Sequence, residues 1–194
     1  MARRRARLEE GRRIAFLDPA AVIPGCGITV EQARAGLFHG SAIPEDLELA
    51  CDLLVPYAHW ITPEFEKTRF DTRFFLAKLP PEQRPVADAT ELTESLWVTP
   101  KKALEMHQRK EIMLMPPTLK TIEELSAYES IEKLFAACAQ KEIYPILPQL
   151  AGKFLLLPHD LDYNISGYKR PPDASTPSRI TSENGVWKTA YYNK

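Results

Sequence analysis

The stretch that most constrains this chain runs from Tyr57 to Ala77. Tyr57-Ala58-His59-Trp60-Ile61-Thr62-Pro63 leads into a polar bend, Glu64 to Thr68, and Arg69-Phe70-Asp71-Thr72-Arg73-Phe74-Phe75-Leu76-Ala77 leaves it. In the second limb the alternation puts Phe70, Thr72, Phe74 and Leu76 on one side and Arg69, Asp71 and Arg73 on the other, which predicts an antiparallel ribbon with one buried face. The charged face sets a carboxylate between guanidiniums, the side chains best shaped for bidentate contact with phosphate or carboxylate. Judged by pattern alone, a solvated sheet face with cross-strand ion pairs is the plainer reading.

With 194 residues and 44% apolar content, the chain is long enough for one well-buried domain. Its net charge of -1 argues against a dedicated nucleic-acid binder, because no basic surplus exists to displace counterions from a phosphate backbone. Cys26, Cys51 and Cys138 are odd in number and far apart, with no CxxC pair. That suits free thiols in a reducing compartment. No apolar run reaches the roughly 18 residues of a membrane span, and the cluster Arg3, Arg4, Arg5 and Arg7 is followed at once by Glu9 and Glu10, unlike a transit peptide. A soluble, cytoplasmic protein without membrane or nucleic-acid partners is expected.

Taken in order, Arg3 to Phe16 reads as helix, and Pro24-Gly25-Cys26-Gly27 as a turn. Thr29 with Gln32 suggests a capped helix closing at Gly40, and another starts near Pro44 with Leu47, Ala50, Leu53 and Leu54 at helical spacing. After the ribbon, Val86 to Ala89 fits a short strand or loop, and Glu91 to Val98 looks extended. Thr99-Pro100 opens a helix to about Lys110, Ile112 to Leu114 continues buried, and Pro116-Pro117-Thr118 breaks the chain. Capping boxes at Thr121/Glu124 and Ser126/Glu129 predict helices over Leu119 to Leu125 and Ala127 to Gln140. Pro145 and Pro148 bracket a loop, Phe154 to Leu157 is a short strand, and Pro171 to Pro177 is a polar linker. Asn184-Gly185 turns a final hairpin between Arg179 to Ser182 and Val186 to Tyr191. The sum is an α+β fold with antiparallel strands and a helical insert.

Several blocks, in register, carry a resemblance. They are Trp60-Ile61-Thr62-Pro63, Arg69 to Phe75, Glu91 ahead of Trp97-Val98-Thr99-Pro100 and Ala103-Leu104, Leu114 with Pro116-Pro117-Thr118, and Leu157-Pro158-His159-Asp160 with Tyr163. From about Leu53 onward the chain resembles the Nudix hydrolases, in the branch of the peroxisomal coenzyme A diphosphatase and its bacterial relatives. The resemblance implies an α/β/α sandwich around a mixed sheet. It also implies hydrolysis of a nucleoside diphosphate linked to another moiety, coenzyme A being one such ligand. In that family a helix lined with glutamates holds Mg²⁺ or Mn²⁺, because pyrophosphate oxygens need divalent charge and a bound water attacks phosphorus.

The best match to that motif is Arg5-Ala6-Arg7-Leu8-Glu9-Glu10-Gly11-Arg12. It keeps Arg5, Glu9 and Glu10, with Ala6 where a metal-binding Glu belongs and Arg12 where Gly belongs. The resemblance thus implies Glu9 and Glu10 as metal ligands, Arg5 as an orienting group, and Arg69, Asp71, Arg73 and Glu91 as the substrate face. It further implies an N-terminally incomplete single domain over 1–194. Residues 1–52 would be a helical lead-in with a degenerate motif, and 165–194 a proline-rich linker and hairpin. A homodimer would cover open sheet edges.

Two functions follow: a divalent-metal pyrophosphohydrolase of weak or no activity, or a non-catalytic Nudix-like module that keeps a ligand or partner surface. A charged helix end with no function accounts for Glu9 and Glu10 equally well. Other sites are weaker. His39, His59, His107 and His159 lack metal spacing and read as hydrogen-bonded or surface groups. His159-Asp160-Leu161-Asp162 reads as a loop with capping duty before a cation site. Glu91 and Glu94 read first as solvated strand carboxylates, and Trp60, Trp97 and Trp187 as packing residues.

Overall fold

The computed structural model describes residues 54–79 and 96–192, together with the backbone of three short strands nearer the start. Those strands are β1, Ile14–Phe16, β2, Val22–Ile23, and β3, Ile28–Thr29. The ribbon is real. Strand β4, Val55–Ile61, pairs antiparallel with β5, Asp71–Lys78, and a bulge lies between Pro56 and Ala58. Two further strands extend the ribbon into a mixed sheet of order β1-β5-β4-β6. β1 runs antiparallel along β5, and β6, Pro145–Ile146, lies parallel to β4.

Among the described residues, three helices lie between β5 and β6. α1, Pro100–Gln108, starts as its sequence asks: the Thr99 hydroxyl accepts the Lys102 N–H at 3.2 Å and proline occupies the first turn. α2 spans Pro116–Ser126 and α3 spans Ile131–Cys138. The C-terminal part adds β7, Gln149–Ala151, β8, Phe154–Leu156, β9, Arg179–Glu183, and β10, Val186–Ala190, as an antiparallel sheet of order β10-β9-β8-β7. Asn184 and Gly185 turn the last hairpin with φ of 51 and 78, the left-handed pair that a two-residue turn requires. The architecture is mixed α+β, with the helical insert and closing hairpin that the residues called for.

One core joins the two larger sheets. Tyr57, Ala58 and Trp60 of β4 and Leu76 of β5 pack with Leu125 of α2, Leu134 and Cys138 of α3, Leu155 of β8, Leu157, and Ile180 of β9. A smaller cluster, Ala103, Leu114, Leu119 and Ile122, seals α1 on α2, and Trp187 packs against both clusters. Burying side chains of this size is worth about 1.5–3 kcal/mol each, which makes the β4 face the main anchor of the fold.

Several expectations change. Helix was expected to run to Phe16, but Ile14–Phe16 is a strand, because the open edge of β5 offers Ile-Ala-Phe a ladder that local composition does not foresee. Thr29 ends β3, and the helix expected after it falls outside the described residues. So do the helix from Pro44, the Val86 to Ala89 segment, Glu94, and Cys26 and Cys51. Pro116 and Pro117 open α2 instead of breaking the chain, since proline in a first turn loses no hydrogen bond. Thr121 therefore sits inside the helix, its hydroxyl donating to the Pro117 carbonyl at 2.8 Å. Ser130, not Ser126, caps α3. Phe70 precedes β5 and is 63% exposed, Met113 is exposed while Leu114 is buried, and Leu96 to Val98 are exposed without regular structure. Trp60 is core, but Trp97 is 42% exposed.

Candidate functional site

The charged end of the ribbon is assembled by strand register. His59 lies opposite Arg73 and Ile61 opposite Asp71, so Asp71 is the diagonal neighbour of His59. The Asp71 Oδ1 atom lies 2.6 Å from His59 Nε2 and 3.3 Å from an Arg73 guanidinium nitrogen. The Arg73 and Asp71 side chains are 57% and 53% exposed, and His59 is mostly covered. One carboxylate oxygen thus contacts an imidazole and a guanidinium on the same face, and the guanidinium side chain stays more than half exposed. Screened contacts of this sort add little stability. An arrangement of this kind can present oriented donors to an oxyanion.

Arg69 stands slightly apart. Its Nε donates to the Thr62 carbonyl at 2.9 Å, and the Phe70 N–H donates to the Thr62 hydroxyl at 3.0 Å, which closes the ribbon's bend around Thr62. The structure therefore brings Asp71 and Arg73 together and ties Arg69 to the adjoining turn. Arg5, Glu9, Glu10 and Glu91 lie outside the described residues. His59 is the member that sequence reading missed. Its contact depends on a register that is set across the bend, and no local spacing announces it.

The inner side of β4 carries a second polar arrangement. The Tyr57 hydroxyl donates to Glu124 Oε2 at 3.1 Å, and Lys141 Nζ donates to the same oxygen at 2.8 Å while lying 3.7 Å from the Tyr57 ring centroid. Burial, with the Glu124 charge beside it, pushes the Tyr57 phenol far above its ordinary pKa, so it remains a donor. Next to Glu124, burial also raises Glu123, against the hydrogen bond it accepts from the Thr189 hydroxyl at 2.9 Å. Burial likewise raises the thiol of Cys138, a free cysteine in the core. A cavity of about 50 Å³ opens between β4, α2 and the segment before β6.

The loop after β8 resolves the reading of His159 to Asp162. Asp160 is fully buried and accepts from Ser178 Oγ at 2.6 Å, from Arg179 Nε at 2.9 Å and from the Asp162 N–H at 2.9 Å. Its carboxylate is a hub for loop closure, in keeping with the capping expectation. His59, His107 and His159 are all hydrogen-bonded. Among the described residues, no group of three or more His, Cys, Asp or Glu side chains could hold a metal ion, and no helix is long and apolar enough to cross a membrane.

Comparison with known families adds one finding. Residues 41–125 match the model of the NUDT19 Nudix domain, a span that contains the ribbon, α1 and all but the last residue of α2. No solved structure matches the chain.

Proposed function

We propose, from the match of residues 41–125 to a Nudix domain, that the chain binds a nucleoside diphosphate linked to another moiety, of coenzyme A type, and hydrolyses it weakly or not at all. The observation that carries this reading is the joining of Asp71, Arg73 and His59 on an exposed face within the matched span. A guanidinium anchored through one edge keeps its other N–H groups for phosphate oxygens, and Arg69 adds a second cation beside the bend. Mg²⁺ or Mn²⁺, when bound, would neutralise pyrophosphate oxygens and activate a water. Glu9 and Glu10 are the residues to hold such an ion, with Arg5 orienting one of them. Glu91 is proposed as a further substrate contact.

A second reading is favoured by the ribbon's own described side chains, which supply cations for a phosphate or another acidic group. On that reading the chain is a ligand-binding or protein-interaction module of Nudix type, with a second copy one way to cover open sheet edges. The test is a panel of dinucleotides and coenzyme A esters with Mg²⁺ or Mn²⁺, reading both binding and phosphate release after phosphatase treatment. The expected result is binding that Arg73→Ala weakens by about tenfold, the loss of one charge-assisted contact, with turnover near background. Clear turnover that Glu10→Gln abolishes would overturn weak activity and establish the enzyme. Binding unchanged by Arg73→Ala would remove the ribbon from the site.

A further inference from the structure

Lys120 occupies an unusual position for a lysine. It lies on the inner side of α2 and is only 8% exposed, whereas lysine is rarely buried without a partner. Its ammonium has three N–H groups. The hydrogen bond it makes is to the Pro177 carbonyl at 3.4 Å, near the limit at which such contacts count.

The same side chain lines the cavity beside β4, together with Tyr57, Trp60, Thr121 and Tyr144. The acidic groups on that wall are already engaged. Glu124 takes the Lys141 ammonium and the Tyr57 hydroxyl, and Glu142 pairs with Arg170 at 3.2 Å. Glu123, one turn along α2, accepts from Thr189 and is shifted by burial toward its neutral form. The Thr121 hydroxyl is turned to its own helix. What remains is a buried ammonium in no salt bridge among the described residues, its charge felt by Glu123 and His159, in a side chain that lines an aromatic-sided hollow where charges act more strongly than in water.

We infer that this cavity is a binding site for one small anionic group, a phosphate or a carboxylate, with Lys120 Nζ as its donor. Size sets the class. At about 50 Å³ the cavity has room for a few waters or one anionic group, against roughly 300–1,000 Å³ for pockets that enclose whole ligands. Its donor comes from α2 and lies apart from the charged face of the ribbon, although β4 supplies Tyr57 and Trp60 to the same wall.

The test uses the full chain, with amide chemical shifts followed while inorganic phosphate or acetate is added at constant ionic strength against a chloride control. The expected result is a saturable change in the millimolar range, the affinity of a single group, centred on Lys120, Thr121 and Tyr144. The stronger of the two anions names the ligand. Lys120→Met, which keeps the apolar stem and removes the charge, should weaken that binding at least about tenfold, and Arg73→Ala should leave it unchanged. Absence of saturation with both anions, equal binding by folded Lys120→Met, or shifts centred on Arg69 and Arg73 instead, would each overturn the inference. Should Lys120→Met fail to fold, the position of the shifts in the unaltered chain decides alone.

Discussion

Removing the Asp160 carboxylate should loosen the loop that leads from β8 to β9. The residue is 1% exposed, and besides Ser178, Arg179 Nε and the Asp162 N–H it accepts from a second Arg179 nitrogen at 3.1 Å. Arg179 is itself largely covered, 15% exposed at its side chain, and stacks near Tyr192 and Phe154. Breaking a buried pair by deleting one partner typically costs about 3–5 kcal/mol. Here the guanidinium keeps Asp162 at 2.5 Å, so the lower figure applies and Asp160→Ala should lose about 3 kcal/mol. In a chain of this size that is a fall of about 6–12 °C in Tm. The acid limb adds a second check. Burial works to raise the Asp160 carboxyl, but hydrogen bonds from Arg179, Ser178 and the Asp162 N–H outweigh it and hold the group below the usual carboxylate range. A depressed folded pKa stabilises the fold fully above the unfolded value of about 3.9, and that contribution fades as pH falls through the folded value. Urea unfolding should therefore show a constant gap between wild type and variant near neutral pH, shrinking below about pH 3.9. A gap under about 1 kcal/mol, or one that persists undiminished in strong acid, would refute the reasoning.

Other expectations are more local. His107 is 3% exposed, its Nδ1 accepting the Leu114 N–H at 3.1 Å and its Nε2 donating to the Trp187 carbonyl at 3.0 Å. Leucine there would orphan both groups, and denaturant titration should read a loss of about 3 kcal/mol; a loss under a third of that would mean the contacts carry no weight. Gly185, at φ +78 with open space where a Cβ would stand, should cost about 1 kcal/mol on change to alanine, entirely through backbone strain. A neutral thermal melt would contradict that assignment.

The elements legible in the sequence are those whose signals are local. Asn184-Gly185 between apolar limbs can hardly be anything but a two-residue turn, and Thr99-Pro100 both caps and starts α1. The Pro116-Pro117 pair was ambiguous for a physical reason: proline ends a helix from within and starts one from its first turn, and only the chain before it decides. The strand at Ile14–Phe16 was hidden because its partner, Leu76 to Lys78, is remote in sequence. The candidate site divides in the same way. Asp71 and Arg73 are visible as an alternating polar face, whereas His59 joins them by register. Lys120, in a helix that reads as ordinarily amphipathic, shows its burial only once α2 is laid over β4.

The central position of β4 decides how these sites can be separated experimentally. With β5 on one side and β6 on the other, it is an interior strand, and Tyr57 and Ala58 are buried in succession where an edge strand would alternate. The bulge at Pro56 helps to make that possible, since an extra residue re-aims those that follow. β4 thus sends His59 to the charged face and Tyr57 and Trp60 to the cavity wall. Any substitution within it would disturb both, and a combined loss would identify neither. The discriminating changes belong on the flanking elements, Arg73 on β5 and Lys120 on α2, where each side chain serves one site. If the sites are separate, the two effects should add, because they share no partner; marked non-additivity would mean that one anion spans from the ribbon to the cavity.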